Sequence, residues 1–228
     1  MPNHITNRIT APWSIIKEYF VTEVTEEERE KAISELESMI AYRTKVLVKI
    51  IRQGENYHHF VSELVDLREI NYTLLKYRPT FEKLVPSPPN KETGGCSGSH
   101  KDGEVCWYTW NQENWGTKWS PYSPSLYFFN SEMEEVDAPE EDGYATLIFN
   151  TAWSTPTPVW DALIDKMPEY GDERPPLHIE WADEDFGYNV GEIESTSWGI
   201  HWTWHTGGSR AARDLAAIIL GPQDDEDD

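Results

Sequence analysis

The stretch that decides the fold is Thr151-Ala152-Trp153-Ser154-Thr155-Pro156-Thr157-Pro158-Val159-Trp160. It follows residues 144–150, whose β-branched and aromatic side chains predict a strand. Pro158 suits the first turn of a helix and Thr157 suits its N-cap, so a helix is predicted through about Met167. The stretch therefore predicts a strand that leads directly into a helix.

Outward from this stretch, period-2 patterns predict further strands. Strand-like runs predict strands at 105–110, 125–129 and 187–194, and the period-2 patterns cover residues 3–10, 177–181 and 198–204. In the last of these, Trp202 and Trp204 alternate with polar residues, which predicts one aromatic face. A final helix is predicted over 211–220 with Ser209 as its cap, and the acidic residues 221–228 are predicted to form a disordered tail.

A helical insertion is predicted over about residues 24–78. Thr25 and Glu28 have the spacing of a capping box, and apolar residues at helical spacing follow as far as Gly54. A second apolar stripe, with Leu64, Leu67 and Leu74 in it, ends before Pro79. The two helices are expected to form a hairpin that packs on the main domain or on a second copy of the chain.

The composition is strongly acidic: 41 Asp and Glu residues face 19 Lys and Arg residues, for a net charge of −22. Direct binding to nucleic acid or to an anionic membrane needs a basic surface, so this charge disfavours both. A basic protein is the partner that the charge favours. The alternative is that the charge serves solubility alone.

Two cysteines, Cys96 and Cys106, bear on the compartment and on metal binding. The chain shows no signal peptide and no apolar run long enough to cross a bilayer. A cytosolic protein with free thiols is therefore predicted. The cysteines and His100 lack the paired spacing of zinc motifs, so neither a metal nor another cofactor is predicted.

Seven acidic residues are concentrated between two predicted strands, and no Lys or Arg separates them. The run predicts a solvated hairpin loop and is the candidate surface for binding a basic partner. Its members are Glu132, Glu134, Glu135, Asp137, Glu140, Glu141 and Asp142.

A second candidate site lies around Glu113-Asn114-Trp115-Gly116-Thr117-Lys118-Trp119. If this segment is a strand, Trp115 and Trp119 share one face, while Asn114 and Lys118 share the other. With Ser154, the latter two are candidates for a polar pocket that holds a small ligand or peptide. The alternative is that these tryptophans pack in the core against Trp153.

His201 and His205 are a weaker candidate pair. Four residues of strand separate them by about 13 Å, which is too far for one metal ion. We therefore predict structural roles for both histidines.

Three segments together resemble the YubB-type ferredoxin-like family of phage and plasmid proteins. The segments are residues 1–9, residues 81–88 (Phe-Glu-Lys-Leu-Val-Pro-Ser-Pro), and the two Trp motifs at 113–119 and 149–156. The resemblance extends from residue 1 to about 194, with residues 20–78 as an expanded insertion. It implies one ferredoxin-like α+β domain over residues 1–220, an antiparallel sheet with helices on one face. It also implies residence on a mobile element in the cytoplasm of a bacterial host, and it implies no activity.

Three functional hypotheses follow. The first is a phage or mobile-element accessory protein that binds a basic host or phage protein. Its best specific form is an inhibitor of a host defence system, of the anti-CRISPR or anti-restriction type, whose acidic surface mimics nucleic acid. The second is a small-ligand or nucleotide-processing enzyme with its site near Asn114, Lys118 and Ser154. The third is a structural module that self-assembles, as a homodimer for example, through the helical hairpin.

Overall fold

The computed structural model describes residues 3–53, 76–91, 105–168, 171 and 174–222 of the chain. Contacts divide the chain into two compact units, one of residues 1–21 and 79–228 and one of residues 22–78. The predicted second helix of the insertion, and residues 223–228 of the predicted acidic tail, lie outside the described residues.

Nine strands and five helices follow one another along the described residues. In order they are β1 (His4–Pro12), α1 (Trp13–Tyr19), β2 (Val21–Glu23), α2 (Glu26–Gln53), β3 (Tyr77–Pro79), α3 (Trp107–Asn114), β4 (Tyr122–Phe129), β5 (Glu135–Val136), β6 (Tyr144–Ala152), α4 (Thr157–Ile164), β7 (His178–Asp183), β8 (Gly191–Thr196), β9 (Gly199–Trp204) and α5 (Arg210–Leu220).

Seven of the strands form one antiparallel sheet, in the order β5-β4-β6-β1-β7-β8-β9. The chain is therefore an α+β protein with a large antiparallel sheet. The second sheet has two strands, β2 and β3, where the chain leaves the first unit and returns to it.

The first face of the large sheet carries the apolar core. Ile5, Ile9, Leu147 and Phe149 alternate with half-buried residues along β1 and β6, and all four are fully buried. Trp160 of α4 packs on this face, with its ring centroid 6.1 Å from that of Phe149. Helix α1 contacts β1 and β6, so an apolar stripe of each helix covers the same face.

The second face is covered at one end by α5. Ala182 and Val190 lie on this face and form a buried cluster with Ala212, Leu215 and Ala216 of α5. The prediction of helices on one face only is therefore wrong. Small alanine side chains let this helix approach the sheet closely, and α5 lies beyond the segments on which the resemblance depends.

The segment before β4 was predicted as strand, and this prediction is also wrong. Residues 107–114 form helix α3, and the residues after it form a loop. Trp107, Trp110, Asn111 and Trp115 have the i, i+3, i+4 spacing of one helix face, and Trp110 contacts Trp115 edge to face. The strand prediction thus assigned an extended backbone to side chains whose spacing fits one face of a helix.

Two predicted helix starts are confirmed. The Thr25 backbone N–H donates to Glu28 Oε2 at 3.1 Å and the Glu28 N–H donates to Thr25 Oγ1 at 3.3 Å, which is a capping box. Ser209 accepts from the Ala212 N–H at 3.2 Å at the start of α5. Helix α4 instead has Pro156 as its N-cap, with Thr157 as its first residue.

Candidate functional site

The Thr151–Trp160 stretch encloses a buried polar chain. Trp160 Nε1 donates to Thr155 Oγ1 at 2.9 Å, and Thr155 Oγ1 donates to Asn7 Oδ1 at 2.7 Å. Asn7 Nδ2 then donates to Thr151 Oγ1 at 2.9 Å, and that hydroxyl donates to the Ser154 carbonyl at 2.7 Å. Two of these links join Asn7 of β1 to Thr151 and Thr155, and the other two lie between the end of β6 and α4. Because each polar atom is paired, the stretch stabilises the fold rather than presenting a free reactive group.

The same turn binds the loop after α3. Thr117 Oγ1 donates to the Ala152 carbonyl at 3.0 Å and accepts from the Ala152 N–H at 3.2 Å. Ser154 Oγ donates to the carbonyl of Gly116. Gly116 has φ +72°, and a Cβ there would lie 2.6 Å from Pro158 Cδ, so the close approach requires glycine. The two Trp motifs are therefore joined by hydrogen bonds from side-chain hydroxyls to the main chain.

The three candidate pocket residues have separate partners. Asn114 Nδ2 donates to the Trp110 carbonyl of its own helix at 2.9 Å. Ser154 Oγ donates its proton to the Gly116 carbonyl and, within the described residues, has no hydrogen bond to a base that would activate a nucleophile. Lys118 Nζ lies 4.5 Å from the Trp119 ring centroid and 4.9 Å from that of Trp153. The fold brings Lys118 and Ser154 into one region, but as parts of different contacts.

Lys118 lies in a cluster of aromatic rings with exposed members. Trp119 is 36% exposed and Trp153 is 40% exposed, whereas Trp115 is 2% exposed. The alternative prediction is thus correct in placing Trp115 in the core, although its ring contacts Phe81 and Trp110 there and not Trp153. It is wrong for Trp119 and Trp153, which are partly exposed. Contacts between Lys118 and the rings are cation–π interactions, which stabilise the loop by about 0.5–1 kcal/mol at such exposed sites.

The hydroxyl of Tyr122 makes two contacts beside the aromatic cluster around Lys118. It donates to the Thr151 carbonyl at 3.1 Å and lies 2.6 Å from His4 Nδ1. Burial raises the pKa of Tyr122, and the nearby Glu184 carboxylate raises it further. The neutral phenol is therefore the form that the folded protein retains.

The seven acidic residues lie on the connection from β4 to β6, residues 130–143, which we call the acidic hairpin. All seven are exposed. Asn130 organises its first turn, because Asn130 Oδ1 accepts from the N–H groups of Glu132 at 3.0 Å and Glu134 at 2.9 Å. Strand β5 then pairs with β4. The carboxylates are thus carried on an ordered segment.

No lysine, arginine or histidine of the described residues forms an ion pair with a carboxylate of the acidic hairpin. Seven negative charges therefore stand close together without a positive partner from the described chain. Such a group repels itself and attracts cations, and an ordered segment holds it in place.

A charged network on the second face was not predicted. The Arg8 guanidinium donates to Glu180 Oε2 through Nε at 2.6 Å and through Nη2 at 2.5 Å, and Glu180 is 4% exposed. His178 Nε2 and His205 Nε2 lie 3.4 and 3.2 Å from the two oxygens of Glu192. The alternation of Thr6, Arg8 and Thr10 along β1 is the signal that indicates a polar second face.

The histidine predictions have a mixed outcome. His205 contacts Glu192, while His201 is exposed on β9. Within the described ranges, no group of three or more His, Cys, Asp or Glu side chains could hold a metal ion.

Cys106 takes part in a disulfide bond, so the prediction of free thiols is wrong. The chain has one other cysteine, Cys96, which lies outside the described residues. A disulfide is typical of an oxidising environment, which spacing and composition alone did not indicate here.

Comparison with protein-family models, with curated proteins and with solved structures found no match. The resemblance to the YubB-type family therefore stays a prediction. Among the described helices, none has the length and apolar character needed to cross a membrane.

Proposed function

We propose that the protein binds a basic surface of another protein through its acidic hairpin. The observation that carries this proposal is the set of seven exposed carboxylates on an ordered segment, none of which has an ion-pair partner within the described chain. An ordered segment loses little conformational entropy on binding, so the charges are available at low cost.

The mode of binding follows from the charge. Carboxylates fixed in place attract a cationic surface over about 8 Å at physiological ionic strength, so they raise the association rate more than they strengthen the final contacts. A nucleic-acid-binding groove is the kind of basic surface that rows of negative charge fit. We therefore propose a nucleic-acid mimic that blocks such a groove in a host defence complex, of the anti-CRISPR or anti-restriction type.

The same proposal includes a ferredoxin-like core and residence on a phage or plasmid. Its support is the order β4-β6-β1-β7 within the antiparallel sheet, with α1 and α3 between β1 and β4 and with α4 between β6 and β7. In this view β5, β8, β9 and α5 are additions to a βαββαβ core. Self-assembly through the helical hairpin stays a prediction, because its second helix lies outside the described residues.

The test compares two triple variants with equal charge changes. One replaces Glu132, Glu140 and Glu141 of the acidic hairpin by glutamine, and the control replaces the exposed Glu27, Glu30 and Glu37 of α2. Each tagged protein is used for affinity purification from host lysate at 50 mM and 300 mM salt, and captured proteins are identified by mass spectrometry.

We expect the unaltered chain and the α2 variant to capture the same basic, nucleic-acid-binding protein at low salt. The hairpin variant should capture several-fold less, and high salt should weaken capture by all three. Equal capture by the two variants, or a partner without a basic surface, would refute the proposal.

A further inference from the structure

A cavity of about 360 Å³ opens beside the acidic hairpin, at the end of the sheet away from α5. Thr10 of β1, His178 of β7 and Glu194 of β8 line it from the second face, in adjacent register positions. Met133 of the acidic hairpin and Tyr144 of β6 line its other side. The cavity is large enough for one long side chain and is continuous with the surface that the proposed partner would contact.

The walls of the cavity combine apolar and acidic groups. Met133 and Pro176 are exposed and supply apolar surface, and Tyr144 adds an aromatic ring. The Glu194 carboxylate is exposed and has no hydrogen bond or ion pair with another described residue. No lysine or arginine is among the residues that line the cavity. This lining suits a side chain with an aliphatic stem and a cationic end.

The charges behind the cavity also favour a cationic side chain. His178 Nδ1 lies 3.8 Å from Glu180 and its Nε2 lies 3.4 Å from Glu192, so two more carboxylates stand behind the wall. Arg8, the arginine of the charged network on the second face, is already paired with Glu180. A cation that enters therefore meets a carboxylate at Glu194 without displacing a cation of the protein itself.

We propose that this cavity receives one arginine side chain of the basic partner. Its stem packs against Met133 and Pro176, and its planar guanidinium forms a charge-assisted pair with Glu194. The inference rests on the proposed function, and it adds the residue type that anchors the partner and the place where it binds.

The experiment uses the full chain labelled with nitrogen-15 and two acetylated, amidated pentapeptides. One peptide is Gly-Gly-Arg-Gly-Gly, and in the other citrulline replaces arginine with nearly the same shape and no charge. We expect saturable amide shifts around residues 10, 133, 178 and 194 with the arginine peptide alone. Equal shifts with the citrulline peptide, or shifts confined to residues outside the cavity, would overturn the inference.

Two variants with equal charge changes sharpen this result. Glu194→Gln should weaken arginine-peptide binding roughly tenfold, the size expected for one hydrogen bond to a charged group. Glu184→Gln should leave it unchanged, because this exposed residue lies about 20 Å further along β7 from His178. Equal effects of the two variants would show that only net charge matters and would overturn the inference.

A nona-arginine peptide separates this inference from the proposed function. If the triple variant of the acidic hairpin weakens its binding and Glu194→Gln does not, the cavity proposal fails and the hairpin proposal stands. If Glu194→Gln alone weakens binding, the cavity proposal stands and the hairpin proposal fails. If neither variant weakens binding, both fail.

Discussion

Replacing Thr155 by valine tests whether the polar chain beneath the Thr151–Trp160 stretch holds the fold together. Valine keeps the shape of threonine but removes Oγ1, which accepts from Trp160 Nε1 and donates to Asn7 Oδ1. Both Trp160 and Asn7 are fully buried, so water cannot replace the lost partner. Each unsatisfied buried group costs about 1–3 kcal/mol.

The added methyl group returns about 0.8 kcal/mol of burial, so a net loss of about 3 kcal/mol in the free energy of unfolding is expected. A loss of this size is a large fraction of the total free energy of unfolding, which is about 5–15 kcal/mol for a typical domain. Urea denaturation followed by tryptophan fluorescence measures it. The variant should unfold at a clearly lower urea concentration with an unchanged slope.

The matched control is Thr146→Val on the second face of the same sheet. Its hydroxyl lies 2.9 Å from Thr10 Oγ1, and both threonines are half-buried, so water can satisfy the remaining partner. We expect a loss below about 1 kcal/mol there. Equal losses at the two positions would refute the argument, because burial of the orphaned partners would then not decide the cost. A double-mutant cycle with Trp160→Phe should show coupling of about 1 kcal/mol or more between positions 155 and 160.

Two further outcomes are expected. Gly191→Ala should destabilise the fold by about 1–3 kcal/mol in urea denaturation, because its Cβ would overlap the Trp181 ring and lie 2.7 Å from the Thr203 carbonyl. An unchanged urea midpoint would contradict this packing. Asp161→Asn should raise the Tm slightly at pH 7, because burial and then Asp165 raise the pKa of Asp161. A raised carboxyl pKa means that the folded state holds the proton more tightly, so this contribution is favourable at low pH and is lost as the pH rises through the folded value. The difference in Tm should therefore shrink as the pH falls toward about 4, and a constant difference in scanning calorimetry would contradict the assignment.

Local sequence patterns were sufficient to predict a helix start or a strand where a few neighbouring residues carry the signal. Thr25 with Glu28, and Ser209, mark helix starts because their side chains cap nearby N–H groups within a few residues. The strands at 4–12 and 144–152 alternate because one face is buried, and this alternation appears directly in the sequence.

For the aromatic segment before β4, the same local patterns gave a wrong prediction. Trp107, Trp110 and Trp115 suit strands by propensity, yet they lie in and after a helix. Their spacing fits a helix face, but the packing that selects this face, on Phe81 and on one another, comes from distant segments. Propensity is a weak prior, and tertiary contacts override it.

The candidate sites show a similar division. The acidic run was visible because seven like charges are adjacent in the chain. The pairing of Arg8 with Glu180, and of His178 and His205 with Glu192, joins residues of β1, β7 and β8 and the residue that follows β9. Only strand order and register bring these side chains together, so no local pattern indicates them. The cavity beside Met133 likewise depends on strand order and register.

By itself, the sequence determined the local elements that end in caps or alternate on a buried face, the strand-to-helix turn at Thr151–Trp160, and the uncompensated acidic hairpin. Each of these depends on residues that are close in the chain. The tertiary structure alone decided that α5 covers the second face, that Asn7 completes the polar chain under Trp160, and that Glu194 lines a cavity beside the acidic hairpin. These features depend on long-range pairing, because a buried polar group or an apolar surface is satisfied by whichever segment the sheet places against it.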